Sequence, residues 1–437
     1  MPGDATLAED STIVAIATPS GRGGIGVVRL SGSQALRITK ALFAKDPAFQ
    51  PRRVHYRMLQ DVDGKRIDDA LVTYFPAPGS YTGEDVVEIA THGSPVVLDW
   101  LVRACVDFGA VPARAGEFTE RAFLGGRLDL TGAEAVRDLI EAQTLGQARQ
   151  AAEQMGGSIA SAVRAGKQTL LELIAALEAG IDFAEDDIDL VSPDDLARRI
   201  RALQPPLAGL LASFAHGRLM REGLRLAIAG EPNVGKSSLF NRLVEHERAI
   251  VTATPGTTRD VIAERISLGG IPVEVLDTAG LRETEDEAER IGVSRSRQAM
   301  AEADAVLVVV DASRPNAAHA ESEYASLRGR PVLLVLNKVD LQTTGTAEQD
   351  TINDIGRDKR SWPVVSTSAV TGEGIPQLRQ ALLDLVSGGT QSAGNATLTN
   401  LRQRAAVDQA HAALLRAEAA ASTSTPHEMI LLDLYEA

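Results

Sequence analysis

A phosphate-binding loop is the first group of residues in this chain whose types and spacing indicate chemistry. Gly230-Glu-Pro-Asn-Val-Gly-Lys-Ser237 follows a hydrophobic segment and precedes a helical one, as such loops require. The glycines let backbone N–H groups approach phosphate oxygens, Lys236 supplies a cation for the β- and γ-phosphates, and the Ser237 hydroxyl is placed to bind Mg²⁺. A glycine turn with a chance lysine is the alternative. The pattern predicts a nucleoside triphosphate site.

Three further short motifs follow in the order expected of a guanine nucleotide site. Asp277-Thr-Ala-Gly280 closes a hydrophobic segment, where the aspartate reaches Mg²⁺ through water and the glycine N–H meets the γ-phosphate. Asn337-Lys-Val-Asp340 closes a later one, and its last carboxylate can accept two hydrogen bonds that guanine donates and adenine does not. Ser368 and Ala369 follow the last such segment, in place to touch guanine O6. The order of these motifs along the chain predicts that the site binds GTP rather than ATP.

The polar segment 249–260 lies between the phosphate loop and Asp277. We interpret it as a switch, in which Thr258 joins Ser237 on Mg²⁺ only when the γ-phosphate is present. An ordinary surface loop is the alternative. The predicted nucleotide contacts are Gly230, Asn233, Val234, Gly235, Lys236, Ser237, Ser238, Thr252, Ala253, Thr254, Pro255, Gly256, Thr257, Thr258, Asp277, Thr278, Ala279, Gly280, Asn337, Lys338, Asp340, Ser368 and Ala369. Lys236 and Thr258 are candidate catalytic residues.

Composition and charge limit the class of protein. Forty-four Lys and Arg against 59 Asp and Glu give a net charge of −15, so any RNA contact needs a local patch or a partner. A single cysteine, Cys105, excludes an internal disulfide, a cysteine zinc cluster and an iron–sulfur site, and its apolar helical run over 95–108 predicts a core position. The sequence carries no signal-peptide pattern at Met1 and no membrane-length apolar run. We expect a cytoplasmic protein without a membrane segment.

The elements that position these residues predict several domains. Short β-like runs interrupted by helical patterns predict an α+β domain at the N-terminus. An Ala-, Glu-, Gln- and Leu-rich stretch predicts an all-α domain, and strands alternating with helices predict an α/β domain with a mostly parallel sheet. The predicted boundaries are 1–125 for the α+β domain, 126–222 for the first part of the helical domain, 223–387 for the α/β domain and 388–437 for a linker and the second helical part.

Two local patterns predict where elements turn or begin. Asp61-Val-Asp-Gly64 separates two alternating segments and predicts a chain reversal between strands. Ser192 followed by Pro193 predicts a helix start, with the serine as cap and proline at the first helical position. We expect that helix to end near Leu211.

The phosphate loop through Ser238, together with Pro255-Gly-Thr-Thr-Arg-Asp260, resembles the TrmE–Era–EngA class of bacterial GTPases. Leu281 stands where Ras-type enzymes place a glutamine that orients water. The resemblance implies that a potassium ion replaces an arginine finger, and that a glutamate of the second switch, Glu289, positions the water as a catalytic residue. A solvated acidic helix start is the alternative for Glu289. The implied potassium ligands are Asn233, Thr252, Thr254 (through its backbone carbonyl) and Thr257.

Three N-terminal segments narrow the resemblance to the MnmE (TrmE) family of tRNA modification GTPases: Thr18–Gly32, Tyr81–Glu88 and Gly116–Leu124. The resemblance implies a GTPase domain inserted into the helical domain, and an N-terminal domain that forms a homodimer and binds a tetrahydrofolate derivative, in the 5-formyl or 5,10-methylene form, as one-carbon donor. The implied folate contacts are Arg29, Glu88 and Arg127.

The chemistry of these folate residues is sensible. A carboxylate such as Glu88 can pair with the amidine-like edge of a pterin, and arginines can pair with the glutamyl carboxylate. The family often has a lysine at the position of Arg127. Arginine keeps the positive charge there but offers a different hydrogen-bond geometry. The glycine-rich run 21–26 could instead be a simple turn or a dinucleotide loop, but it opens no helix.

The resemblance also implies a partner and a reaction. With an FAD-dependent subunit, MnmG (GidA), the protein would form a heterotetramer that installs an aminomethyl or carboxymethylaminomethyl group on C5 of the wobble uridine of tRNA. GTP hydrolysis would open and close the two GTPase domains across the dimer. FAD is expected on the partner.

One departure from the family concerns its Cys-x-Gly-Lys tail, which this sequence, ending at Leu434-Tyr-Glu-Ala437, does not contain. The expectation is a truncated form or a variant without the tail. A folate-binding GTPase scaffold that lacks modification activity is therefore one alternative function. A ribosome-assembly GTP switch is another, although such proteins usually append a basic domain and residues 398–437 carry only three Arg and no Lys.

Overall fold

The computed structural model describes residues 11–43, 48–61, 63–182, 192–244, 263–277, 302–313, 327, 330–341, 362–387, 396–423 and 425–437. By its internal contacts the chain divides into two units, Met1–Val136 and Arg137–Ala437. Among the described helices, none combines the length and the apolar character that a membrane crossing requires.

The N-terminal unit is built on a six-stranded sheet. Its strands are β1 (Ile13–Ile16), β2 (Gly23–Ser31), β3 (Val54–Gln60), β4 (Arg66–Phe75), β5 (Val86–Gly93) and β6 (Val111–Pro112), and its helices are α1 (Ala35–Ala41), α2 (Pro95–Asp107) and α3 (Glu117–Leu124). The order across the sheet is β3-β4-β5-β2-β1-β6, antiparallel except for β1 with β6. The α+β prediction for this part of the chain is confirmed.

Helix α2 supplies much of the core of this unit. Proline at its first position, Pro95, suits a helix start because the missing N–H has no intrahelical partner there. Its apolar residues Leu98, Leu101 and Cys105 recur at helical spacing and are buried against the sheet. Burial raises the pKa of the Cys105 thiol to about 12, so the thiol stays protonated and packs as a small apolar group. The core position predicted for this cysteine is confirmed.

The predicted reversal between β3 and β4 is confirmed. The Asp61 carboxylate accepts the backbone N–H groups of Asp63 at 3.0 Å and Lys65 at 2.8 Å. Gly64 has φ of +77°, a left-handed conformation that glycine adopts without a Cβ clash. The turn therefore sets the register of the hairpin.

The second unit combines helices with a second sheet. Its helical segments are α4 (Leu130–Glu141, which runs across the division), α5 (Leu145–Met155), α6 (Ser158–Asp182), α7 (Pro193–Glu222), α8 (Lys236–Val244), α9 (Ile375–Ser387), α10 (Leu401–Ser422) and α11 (His427–Glu436). Its strands are β7 (Leu224–Ala229), β8 (Ala263–Leu268), β9 (Ile271–Asp277), β10 (Ala305–Asp311), β11 (Val332–Asn337) and β12 (Val364–Thr367), and a 3₁₀ turn spans Val339–Leu341.

The second sheet has the order β12-β11-β10-β7-β9-β8 and is parallel except for the β8–β9 hairpin. Hydrophobic clusters cover both of its faces, which explains why β10 and β11 read as nearly continuous apolar runs. The carboxyl ends of β7, β10, β11 and β12 meet at one edge, where ligands of such sheets bind. The predicted mostly parallel sheet is confirmed.

Helix α7 begins as predicted but ends later. The Ser192 hydroxyl accepts the Asp195 N–H at 3.3 Å, with proline at the first helical position. The predicted end near Leu211 is wrong, because the helix continues to Glu222. Its apolar residues near the end, including Phe214, are buried against other helices and the 396–400 segment. Tertiary packing therefore outweighs two interior prolines at 205 and 206.

A capped helix start joins the helical and α/β parts inside the second unit. Thr144 caps α5 in a capping box with Gln147, and the same threonine hydroxyl donates to the Gly270 carbonyl at the β8–β9 turn. A Cβ on Gly146 would lie 2.6 Å from that carbonyl oxygen, so glycine permits the close approach. The α5 start is thus fixed to the hairpin of the sheet.

Candidate nucleotide site and N-terminal polar site

The phosphate loop connects β7 to α8 at the carboxyl edge of the second sheet. Gly230 has φ of +147° and Gly235 has φ of +95°. A Cβ on Gly230 would lie 2.3 Å from the Val309 carbonyl oxygen, and one on Gly235 would lie 2.3 Å from Asn337 Nδ2. Both positions require glycine for space as well as for backbone conformation.

The first residues of α8 present the loop's polar groups. Lys236 Nζ donates to the carbonyl oxygens of Gly230 at 2.7 Å and Glu231 at 2.8 Å, so the ammonium lies over the loop. Ser237 and Ser238 are exposed in the first turn of the helix. Backbone N–H groups at a helix start favour an anion, and here a lysine and two hydroxyls surround them. The arrangement suits a polyphosphate.

Asn337, buried at the end of β11, connects three segments of the site. Its Nδ2 donates to the Val234 carbonyl of the phosphate loop at 2.9 Å. Its Oδ1 accepts the Ala369 N–H at 3.1 Å and the Thr367 hydroxyl at 3.3 Å. One amide therefore fixes the phosphate loop to the loop after β12.

Lys338 extends the same connection with charge. Its Nζ donates to the Asn233 carbonyl at 2.6 Å and to Asp311 Oδ2 at 2.6 Å. Asn233 and Lys338 both have φ of +66°, which is uncommon for residues other than glycine. Burial opposes ionisation of Asp311, but hydrogen bonds from Lys338 and Ser313 outweigh it and hold the pKa of its carboxyl below the ordinary value.

Asp311 is a site residue that the sequence motifs did not indicate. It ends β10 and pairs in register with Asn337, so the sheet places it at the same edge as the predicted motifs. An acidic residue closing a predicted strand, beside the strand that carries Asn337-Lys338, was the available signal.

The residues predicted to contact the guanine base follow β11 and β12 in the chain. Asp340 is exposed in the 3₁₀ turn after β11. Ser368 is buried, and its hydroxyl accepts the Thr371 N–H at 3.1 Å, which shapes the loop that carries Ala369. The structure thus brings the motifs after β11 and β12 to the same edge as the phosphate loop.

Some predicted contacts lie outside the described residues, and Asp277 is described only as the backbone end of β9. Those outside are Thr252, Ala253, Thr254, Pro255, Gly256, Thr257, Thr258, Thr278, Ala279, Gly280 and Glu289. Their roles stay predictions.

A second polar site lies on the N-terminal sheet. Arg29 on β2 pairs across the strands with Glu88 on β5, and its Nε and Nη2 both donate to Glu88 Oε1, at 2.9 and 2.6 Å. The guanidinium carbon lies 5.5 Å from the Tyr81 ring centroid and 5.7 Å from that of Phe118. Both charged side chains are partly exposed. The site offers a carboxylate, a cation and two aromatic faces.

Arg127 borders the loop that carries Tyr81. It is exposed, and a Cβ on Gly83 would lie 3.4 Å from Arg127 Cγ. The Tyr81 hydroxyl hydrogen-bonds the Thr119 hydroxyl of α3 at 2.9 Å. Of the three implied folate residues, the structure joins Arg29 and Glu88 directly and places Arg127 against this loop.

A partly buried charge network, which no sequence motif indicated, supports the same loop. Arg121 Nη2 donates to Glu117 Oε1 at 3.0 Å and its Nη1 donates to Glu84 Oε1 at 3.1 Å and to the Ser11 carbonyl at 2.8 Å. The Ser31 hydroxyl donates to Glu84 Oε2 at 2.6 Å. Burial opposes ionisation of Glu117, yet hydrogen bonds from the Arg114 backbone and from Arg121 lower the pKa of its carboxyl.

Known proteins resemble this chain through both units. The MnmE helical domain family matches residues 130–437, and the GTP-binding protein TrmE N-terminus family matches residues 12–127. The tRNA modification GTPase MnmE of Koribacter versatilis (strain Ellin345) is 52% identical over 98% of this chain and 93% of that protein. The protein of the same name from Aquifex aeolicus (strain VF5) is 40% identical over 97% of this chain and 93% of that protein.

Among solved structures, Era of Aquifex aeolicus is 27% identical to this chain, covering 45% of it and 65% of that chain, with a TM-score of 0.31. The sequence relatives, by contrast, match over nearly the full length of both proteins.

Proposed function

The chain belongs to the MnmE family of tRNA modification GTPases, and on that premise we propose that it is a potassium-dependent GTP hydrolase that modifies tRNA with an FAD-dependent partner of the MnmG (GidA) type. The product would be a wobble uridine with an aminomethyl or carboxymethylaminomethyl group on C5, made with a tetrahydrofolate one-carbon unit. The observation that carries the proposal is the 52% identity to a tRNA modification GTPase over 98% of this chain.

The proposed work is divided among the predicted domains. Residues 1–125 would bind the folate and form the homodimer, 126–222 and 388–437 would form the helical domain, and 223–387 would bind and hydrolyse GTP. The fold supports this division: the first part holds the antiparallel sheet with its helices, the second and fourth parts hold mainly helices, and the third holds the mostly parallel sheet.

In the GTPase domain we assign each polar group a role. Lys236 would neutralise the β- and γ-phosphates, while Ser237 and Thr258 would bind Mg²⁺. Glu289 would orient the attacking water and Asp340 would select guanine. The position of Lys236 over the loop carbonyls, at the start of α8, supports the first of these roles.

Asn233 is the proposed potassium ligand among the described residues, with Thr252, Thr254 and Thr257 as the others. It is exposed at the tip of the phosphate loop, three residues before Lys236. A cation bound there would add positive charge beside the transferred phosphoryl group, where an arginine finger acts in other GTPases.

Replacing Asn233 tests this proposal. We expect the wild type to turn over GTP at least about tenfold faster in potassium than in sodium, and Asn233→Ala to lose that difference while it still binds GTP. Asn241→Ala, on the exposed side of α8, is the matched control and should keep the potassium response. Weaker nucleotide binding with an unchanged cation response would contradict the assignment.

The N-terminal polar site is the proposed folate site. Two guanidinium nitrogens of Arg29, Nε and Nη2, donate to Glu88 Oε1, and no group among the described residues donates to Oε2. A pterin edge, with adjacent N–H donors, could use that oxygen, and the Tyr81 and Phe118 rings lie close to the same guanidinium. Arg127 would hold the glutamyl carboxylate.

Glu88→Gln should weaken binding of 5-formyltetrahydrofolate by about tenfold or more, because the neutral amide is a weaker acceptor for the pterin N–H groups and no longer pairs by charge with Arg29. Isothermal titration calorimetry measures the affinity, and GTP turnover in the same preparation should not change. Glu120→Gln, which alters an exposed pair with Arg114, is the control. Equal folate affinities for the wild type and Glu88→Gln would rule out this contact.

The tRNA and partner steps need their own tests. The net charge of −15 favours a partner that supplies much of the tRNA binding. Nucleoside analysis of tRNA from cells whose only MnmE-type protein is this chain would show the modified wobble uridine if the proposal holds. Unmodified uridine, with GTP turnover and folate binding intact, would instead support the scaffold alternative. We propose that all of this takes place in the cytoplasm.

A further inference from the structure

We propose that Asp311 is a positioning residue of the nucleotide site, which acts through the Lys338 ammonium to hold the phosphate-loop backbone at Asn233. The proposal deepens the proposed function and rests on it only for the potassium response. Asp311 would touch neither nucleotide nor metal.

The carboxylate is itself held in place. Asp311 Oδ1 accepts the backbone N–H of Ser313 at 2.9 Å and the Ser313 hydroxyl at 2.6 Å, which leaves Oδ2 directed at Lys338 Nζ, 2.6 Å away. The Asp311 side chain is 15% exposed and that of Lys338 is 28% exposed, so water screens this pair only in part. The end of β10 therefore presents a fixed anion to the lysine.

The ammonium carries this constraint to the phosphate loop. Lys338 Nζ lies 2.6 Å from the Asn233 carbonyl oxygen, and the next carbonyl, that of Val234, accepts Asn337 Nδ2 at 2.9 Å. Two consecutive loop carbonyls are thus held by two consecutive residues, Asn337 at the end of β11 and Lys338 directly after it. Asn233 needs such support, because its φ of +66° is an uncommon backbone conformation for a residue with a side chain.

Only one of these two contacts depends on charge. The Asn337 amide is fixed by its own buried hydrogen bonds to Thr367 and Ala369. The Lys338 side chain is long and flexible, and the carboxylate of Asp311 selects the rotamer that reaches Asn233. Without that anion, the lysine would sample other rotamers and the Asn233 peptide would lose its donor. The loop would then be less well ordered for phosphates and for a cation at Asn233.

A double-mutant cycle on GDP affinity tests the connection. Asp311→Asn should weaken GDP binding by about tenfold, the scale of one charge-assisted hydrogen bond. If Asp311 acts through Lys338, the same change made in a Lys338→Met background should alter GDP affinity by less than about twofold. Equal effects in both backgrounds, or no effect of Asp311→Asn alone, would overturn the proposal.

A matched variant separates positioning from general stability. Asp304→Asn removes an aspartate just before the other end of β10, where its carboxylate accepts the Arg225 N–H at 2.9 Å. We expect its thermal midpoint to fall as much as that of Asp311→Asn, with GDP affinity unchanged. A GDP affinity that falls equally in both variants would assign the effect to sheet stability and overturn the positioning role.

The potassium response gives a second readout. Asp311→Asn should raise the potassium concentration for half-maximal GTP turnover several-fold. If wild-type turnover does not depend on potassium, the proposed potassium function fails, and the GDP cycle still decides whether Asp311 acts through Lys338.

Discussion

Asp340→Asn is expected to lower GTP affinity by at least about 100-fold and to shift the preference of the site toward xanthosine triphosphate. The carboxylate can accept two hydrogen bonds from guanine, each worth roughly 1.5–3 kcal/mol when the acceptor is charged. The amide offers one acceptor and places a donor against the guanine amine. Xanthine carries a carbonyl at that position, and this carbonyl can accept a hydrogen bond from the amide that Asp340→Asn introduces. Competition against a fluorescent nucleotide measures both affinities.

Folding should not obscure this result, because Asp340 is exposed in the structure. Asp384→Asn, an exposed change on α9, is the control and should leave both affinities as in the wild type. An Asp340→Asn protein that still prefers GTP over xanthosine triphosphate would show that guanine is recognised elsewhere.

Arg121→Ala is expected to destabilise the N-terminal unit by about 3–5 kcal/mol, the usual effect of removing one partner from a buried ion pair. The Arg121 side chain is 10% exposed and that of Glu117 is 7% exposed, so the variant would leave the Glu117 carboxylate buried with only Arg114, at 3.5 Å, as a cationic neighbour. The Tyr81 loop would lose its support through Glu84.

Trp100 on α2 packs against the N-terminal core and reports on this unit. We would follow urea unfolding by Trp100 fluorescence in a Trp362→Phe background, which removes the second of the chain's two tryptophans. The signal then reports the unfolding of the N-terminal unit alone. Arg103→Ala, which breaks an exposed pair with Asp99, should change stability by less than about 1 kcal/mol. Similar losses of unfolding free energy in both arginine variants would show that the Arg121 network contributes little to the stability of the N-terminal unit.

The same network predicts a pH dependence with a definite sign. The folded-state pKa of Glu117 lies below its unfolded value, so the folded state binds the proton less readily. Its contribution to stability is therefore complete above the unfolded pKa and is lost as the pH falls through the folded one. In Glu117→Gln this part of the acid sensitivity should disappear from the urea midpoint measured against pH.

Local pattern predicted the elements that hold the nucleotide motifs. Each glycine, lysine and serine of residues 230–238 lies within one turn-and-helix segment, so short-range rules suffice to place it. Helix α2 was predicted over 95–108 and observed over Pro95–Asp107, because its apolar spacing and its starting proline agree with its buried face. The α7 end was missed because packing against distant segments, rather than local propensity, decides where it stops.

Motif spacing and periodicity are local properties of the chain, so the amino-acid sequence was enough to predict the fold class, the guanine nucleotide motifs and the family. Which charged side chains pair with each other follows from the folded arrangement instead. Arg29 and Glu88 are 59 residues apart, Arg121 and Glu84 are 37 apart, and Asp311 and Lys338 are 27 apart. Each pair forms where strand register and helix packing bring distant side chains together, and that register depends on the whole sheet rather than on any one segment.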